Sequence, residues 1–230
     1  MGLEDKGLID EIYWSQVYNS TIAGSKWLKD KSVSPGRWAV GYNYLYVLYR
    51  ILNDVKPENI MEMGLGQSTR VIAQYAACYK AHHIVFEENK DWTEFFSLGF
   101  DGLSEYTQIK HCDIKRELFK NENVPVYEGF KDFLNEDRKK YQLFSIDAPI
   151  QGSDNFSRID VLNCIPNNLG DDFVMMFDDC GWNIHANTII EVKKALDSHG
   201  IKYTSSVYSG YDWKKVVVIA SEGWSFLTTL

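Results

Sequence analysis

The residues best equipped for chemistry are Glu62-Met63-Gly64-Leu65-Gly66-Gln67-Ser68-Thr69. They follow Asn59-Ile60-Met61, which reads as a short buried strand, and precede Arg70 to Tyr79, which reads as a helix. A strand, a glycine turn and a helix together form a site for a nucleotide-like ligand. Glycine lets the backbone turn sharply and approach a ligand closely, and the helix N-terminus offers free N–H groups. The Glu62 carboxylate adds an acceptor, which argues against a phosphate cradle and for a ligand with a cationic or hydroxyl-rich end. The dinucleotide fingerprint needs a third small residue where this chain has Thr69. The Gly-Lys-Ser or Gly-Lys-Thr of a phosphate loop does not occur.

Further acids stand at the ends of the following strands. Glu87 closes His83-Ile84-Val85-Phe86-Glu87, where a carboxylate can accept from two ribose hydroxyls; capping the next helix is its other reading. Asp147 closes Tyr141 to Ile146, and Pro149 fixes the turn behind it. Asp178-Asp179 closes Phe173 to Phe177. Adjacent carboxylates near a third are costly unless a cation or proton compensates them, so Asp147, Asp178 and Asp179 are candidate oxygen ligands for Mg²⁺. His185 is placed to act as a general base near neutral pH. Arg158 either binds an anionic or hydroxylated substrate or makes a surface ion pair. Gly152 to Arg158 suits a lid at the rim of the cleft.

Glu62-x-Gly64-x-Gly66-x-Ser68, followed by acidic strand ends in this order, resembles the first motif and cofactor edge of the class I S-adenosylmethionine-dependent methyltransferases. The resemblance covers roughly residues 37–220. It implies cofactor contacts from Glu62, Gly64, Gly66, Ser68 and Glu87, and an adenine contact from Asp113, which otherwise reads as the N-cap of a helix over 114–120. It places Asp147 beside the methyl donor, where it orients substrate, acts as a base or binds a metal. The metal-dependent catechol and caffeoyl-coenzyme-A branch carries Asp-Asn where this chain has Asp178-Asp179. The implied reaction is O-methylation of a small-molecule or sugar hydroxyl, with Asp147 or His185 taking the proton. The alternatives are an NAD(P)-dependent oxidoreductase, which the missing Tyr-x-x-x-Lys pair weakens, and a non-catalytic binding protein of the same fold.

The elements that must hold these residues alternate between strand and helix, which predicts an α/β fold: a doubly wound, mostly parallel seven-stranded sheet with helices on both faces. Ile201–Tyr208 and Lys214–Ala220 are joined too tightly for a parallel crossover, so the last strand is expected to be antiparallel. The 230 residues suit one domain, with a helical extension over 1–36 and an α/β core over 37–230. The extension is expected to cover the substrate side or form a homodimer contact. The Trp38, Tyr42, Leu45, Tyr46, Tyr49 stripe reads as a core-facing helix over 37–54, its aromatics otherwise roofing the pocket. A net charge of −8 disfavours non-specific binding to nucleic acid or anionic membranes. Four scattered cysteines make no zinc pattern, and no signal peptide or membrane span is visible, so a cytoplasmic protein is expected.

Overall fold

The computed structural model describes residues 3–36, 39–149, 155–181, 183–211 and 213–230, with backbone only for 3–6 and 183–185. Helices α1 (Leu3–Ile22) and α2 (Tyr42–Val55) lead into β1 (Asn59–Met63), α3 (Gln67–Tyr79), β2 (His82–Glu87), α4 (Lys90–Leu98) and β3 (Thr107–His111). A ribbon of β4 (Ile114–Phe119) and β5 (Glu122–Tyr127) is followed by α5 (Phe130–Asp137) and β6 (Tyr141–Ile146). A 3₁₀ turn at Ile159–Cys164 precedes β7 (Leu169–Phe177), α6 (Asn183–Ser198), β8 (Tyr203–Ser209), β9 (Lys215–Ser221) and a closing 3₁₀ stretch, Glu222–Thr229.

Seven strands form one sheet in the order β3-β2-β1-β6-β7-β9-β8. The first five run parallel, and β9 is antiparallel to both β7 and β8. Chain order reverses at β1, between β2 and β6, which makes the carboxyl edge at β1 the topological switch point where such sheets hold ligands. The expected doubly wound sheet with an antiparallel last strand is what forms. No helix among the described residues is long and apolar enough to cross a membrane.

Strand alternation divides the core in two. Ile60, Leu143, Val174, Met176, Val216 and Val218 face α1, α2 and α3. Met61, Ile84, Phe86, Phe144, Met175 and Ile219 face α5, α6 and the 3₁₀ turn. Helix α2 packs with Tyr44, Leu45, Leu48, Ile51 and Leu52 buried, and it starts at Tyr42 rather than at 37, behind an extended Gly41. Residues 155–165 form only a 3₁₀ turn. Residues 114–120 are not the helix that Asp113 would cap. They form β4, paired with β5 from Ile114↔Tyr127 to Phe119↔Glu122. The ribbon is held because Val124 and Val126 pack on Ile159, leaving the interleaved acids and bases on its open side.

Candidate functional site

The two glycines of the turn do different jobs. Gly64 has φ +99°, a region L side chains rarely adopt, and a Cβ there would lie 2.9 Å from Ala148 Cβ. The fold itself demands glycine at 64, so that β1 and the loop after β6 can close together. Gly66 is extended (φ −170°), and a Cβ there would meet nothing within 4 Å. None of the described residues requires glycine at 66, which leaves an open approach to the backbone at the head of α3. Thr69 fills the third small position by accepting from the Gly66 N–H at 2.9 Å. Ser68 is buried in the same first turn.

Glu87 holds this turn from the neighbouring strand. Its Oε2 accepts from Leu65 N at 2.9 Å and its Oε1 from Asn89 N at 2.8 Å. Burial raises its pKa, and the backbone donors work against that rise. Trp92 Nε1 donates to Leu65 O at 2.7 Å and closes the other side. Asp113 lies at the rim beyond β3, exposed and paired to His111 Nε2 at 3.0 Å.

Glu62 does not open onto the cleft. Ile60 and Glu62 share one face of β1, so the carboxylate points under the helical layer with Ser145 and His83. Its Oε2 lies 3.1 Å from His83 Nε2, and its Oε1 accepts from Ser145 Oγ at 3.3 Å. Tyr44 Oη contacts Ser145 Oγ at 2.8 Å, and His83 Nδ1 contacts Thr107 Oγ1 at 3.2 Å. Fully buried, Glu62 braces the strands beneath the turn, and the cofactor contact expected of its carboxylate finds no open face here.

At the ends of β6 and β7, Asp147, Asp178 and Asp179 each bring a carboxylate oxygen to within 4.8 Å of the others. Asp147 is the open member, its side chain 26% exposed. Arg158 makes its ion pair inside the fold and not at the surface. It is buried, with Nη2 donating to Asp147 Oδ1 at 2.9 Å and Nη1 to Asp178 O at 2.5 Å, so it ties the two strand ends together. The group that sequence reasoning missed is Lys214. Its Nζ lies 2.8 Å from Asp179 Oδ1 and 3.7 Å from Asp178 Oδ2. Burial alone would lower the Lys214 pKa, but Asp178 and Asp179 outweigh it and the net shift is upward. Burial, and then repulsion from Asp179, pushes Asp178 up to about 6. Burial likewise raises Asp147 well above the carboxylate range, against the pull of Arg158. Among the described residues, neither Asp178 oxygen has a hydrogen-bond donor. The donor set suits a hard divalent cation, but Lys214 already stands among it. The available signal for Lys214 was a lysine heading an apolar strand opposite the Asp178-Asp179 strand end.

Beside Lys214 lies a cavity of about 460 Å³ lined by Glu11, Gly41, Tyr42, Tyr211, Trp213 and Lys214 among others. Helix α1 thus borders the carboxyl edge, and Trp14 Nε1 anchors it by donating to Ser209 O at 2.7 Å. Of the aromatic stripe, Tyr46 is core, Tyr42 lines this cavity, and Trp38 lies outside the described residues. Gly152 to Asp154 of the expected lid also lie outside them. So does the side chain of His185, whose backbone is in the first turn of α6.

No protein-family model matches the chain. A curated relative, GTPase Der of Francisella philomiragia, is 28% identical over 145 residues, which are 63% of this chain and 30% of that protein. The chain therefore spans under a third of the curated relative's length, and it lacks the Gly-Lys-Ser/Thr of a phosphate loop. The chain is similar to the SAH-bound methyltransferase PaMTH1 of Podospora anserina, with 14% identity, 96% and 97% of the two chains covered and a TM-score of 0.55. It is similar to the O-methyltransferase of Bacillus cereus in complex with SAH, with 11% identity, 93% and 91% coverage and a TM-score of 0.51. A Staphylococcus aureus protein assigned as a caffeoyl-CoA O-methyltransferase gives 12% identity, 93% and 99% coverage and a TM-score of 0.54. The switch-point turn, the reversed sheet order and these likenesses agree: the chain has the fold of the class I S-adenosylmethionine-dependent methyltransferases.

Proposed function

We propose that this protein is an S-adenosylmethionine-dependent methyltransferase acting on a hydroxyl of a small molecule or sugar. The observation that carries the reading is Gly66, a glycine with open space above it at the switch point, beside a turn that Glu87 holds in shape. Gly64, Gly66 and Ser68 would face the methionine end of the cofactor. Each Glu87 oxygen keeps a second lone pair for a ribose hydroxyl, and Asp113 stands where the adenine would lie. The cofactor supplies an electrophilic methyl group on a sulfonium. The chain's task is to hold the acceptor in line and dry.

Asp147 is the partly exposed carboxylate at the reaction edge and the residue proposed to orient the acceptor hydroxyl and take its proton. Burial raises its pKa, which makes the ionised carboxylate a stronger base than an ordinary aspartate. The aromatic cavity beside Lys214 is roomy enough for a sugar ring or a phenol, and Glu11 Oε2, which lacks a partner, awaits a donor on the acceptor. The two SAH complexes among the similar structures support the choice of cofactor. The test is transfer of a radiolabelled methyl group from S-adenosylmethionine to a panel of phenols and sugars. Wild type should label at least one acceptor and Asp147→Asn should lose about 100-fold or more in kcat. Equal labelling by the two would remove Asp147 from this role.

A further inference from the structure

Three carboxylates at one strand edge need positive charge, and the chain supplies it from two directions. Arg158 is spent on Asp147 Oδ1 and on the carbonyls of Ile146 and Asp178. Lys214 answers the remaining pair, Asp178 and Asp179. Its place follows from the topology. Strand β9 runs antiparallel to β7, with Val217 opposite Phe177, so the residues before β9 come level with the residues after β7. The Lys214 carbonyl accepts from Gly210 N at 2.6 Å and from Asn43 Nδ2 at 3.0 Å, and Cys180 N donates to Lys215 O at 2.8 Å. These bonds fix the backbone on both sides of the ammonium. The Lys214 side chain is only 8% exposed, so it is not a surface group that drifts in and out.

We propose that Lys214 is the resident cation of this edge: its ammonium takes the place a divalent metal ion would fill among Asp147, Asp178 and Asp179, and the site works without a metal. A Mg²⁺-sized ion needs about six oxygens at roughly 2.0–2.1 Å. Placed on these carboxylates, it would sit in contact range of Nζ and meet the repulsion of a full positive charge at low dielectric. An ammonium has no such coordination demand. Its ion pair with Asp179 is close but poorly aligned for a hydrogen bond, as expected of a cation placed by charge balance among several acids. The proposal takes its functional meaning from the reading of this edge as the reaction site. Its test is cation binding, which gives the same answer whether or not methyl transfer is found.

Mn²⁺ is titrated into the full chain and the free ion is followed by electron paramagnetic resonance. Wild type is expected to hold no Mn²⁺ at micromolar concentrations. Lys214→Ala, and Lys214→Met, which keeps the buried stem, are expected to bind one ion per chain at least about 10-fold more tightly. Adding Asp178→Asn to either variant should abolish that gain. Micromolar Mn²⁺ binding by wild type that Asp178→Asn removes would overturn the proposal, as would a folded Lys214 variant that binds no better than wild type. If neither variant folds, the wild-type titration against Asp178→Asn decides alone.

Discussion

Two buried polar assemblies meet at β6, where Ser145 belongs to one and Asp147 to the other, and they are built to opposite rules. Beneath the sheet, Thr107, His83, Glu62, Ser145 and Tyr44 form a chain of hydrogen bonds in which no buried polar atom is stranded. At the carboxyl edge, Asp178 leaves both oxygens without a donor, and Lys214 Nζ and Arg158 Nε also lack an aligned partner. A network whose every member has a partner and whose carboxylate is fully enclosed offers a ligand no approach and serves to hold strands together. An unsaturated one costs stability and persists where the leftover capacity is used. The contrast separates two acids that look alike in sequence: Glu62 is enclosed within the fold, and Asp147 with its neighbours stands at the proposed site.

The largest effect should come from breaking the saturated assembly. Glu62→Ala strands the buried His83 and is expected to cost about 3–5 kcal/mol in urea unfolding. A loss below about 1 kcal/mol would mean that the network is not the brace its geometry suggests. A test of intermediate size uses Asp160, a buried acid with its pKa raised by burial to about 7, whose Oδ2 accepts from Tyr127 N at 3.1 Å. A raised folded pKa means that the protonated form stabilises the fold fully below the unfolded pKa near 4, and that the contribution fades as pH rises to about 7. Asp160→Asn should remove a decline on the order of 3 kcal/mol between those pH values, read from melting temperature against pH. An unchanged slope would assign the titration to another group. The smallest stability effect belongs to the edge itself. Asp178→Asn removes one of three crowded carboxylates and should change unfolding free energy by no more than about 1 kcal/mol. A loss as large as that of Glu62→Ala would erase the distinction between the two assemblies.

Much of this was legible in the sequence because it is local. The glycine turn, the acids closing successive strands and the tight joint before Lys214 all follow from short-range pattern, and they yield the doubly wound sheet and its antiparallel last strand. What failed was non-local. Strand β1 is buried on both faces, so no polar–apolar contrast reveals which way Glu62 points. Its partners His83 and Ser145 are 21 and 83 residues distant. Arg158 reads as a surface residue by type, and only the meeting of β6 and β7 explains its burial. The β4–β5 ribbon hid behind interleaved charges, which suit the open face of a hairpin as well as a solvated helix. Lys214 carried a strand reading and nothing more, because its role depends on β9 reversing direction beside β7.

Receipt of S-adenosylmethionine at the open backbone of Gly66 underlies the proposed function. It is tested most directly by calorimetric titration of S-adenosylhomocysteine, with NADH as comparison, into wild type and Gly66→Asn. Asparagine caps a helix as well as glycine does, so the variant should melt at the wild-type temperature while its side chain fills the approach. Micromolar binding of S-adenosylhomocysteine to wild type, at least about 100-fold weaker in the variant, and no binding of NADH are expected. Binding of NADH alone, or equal binding of S-adenosylhomocysteine by both proteins, would contradict it.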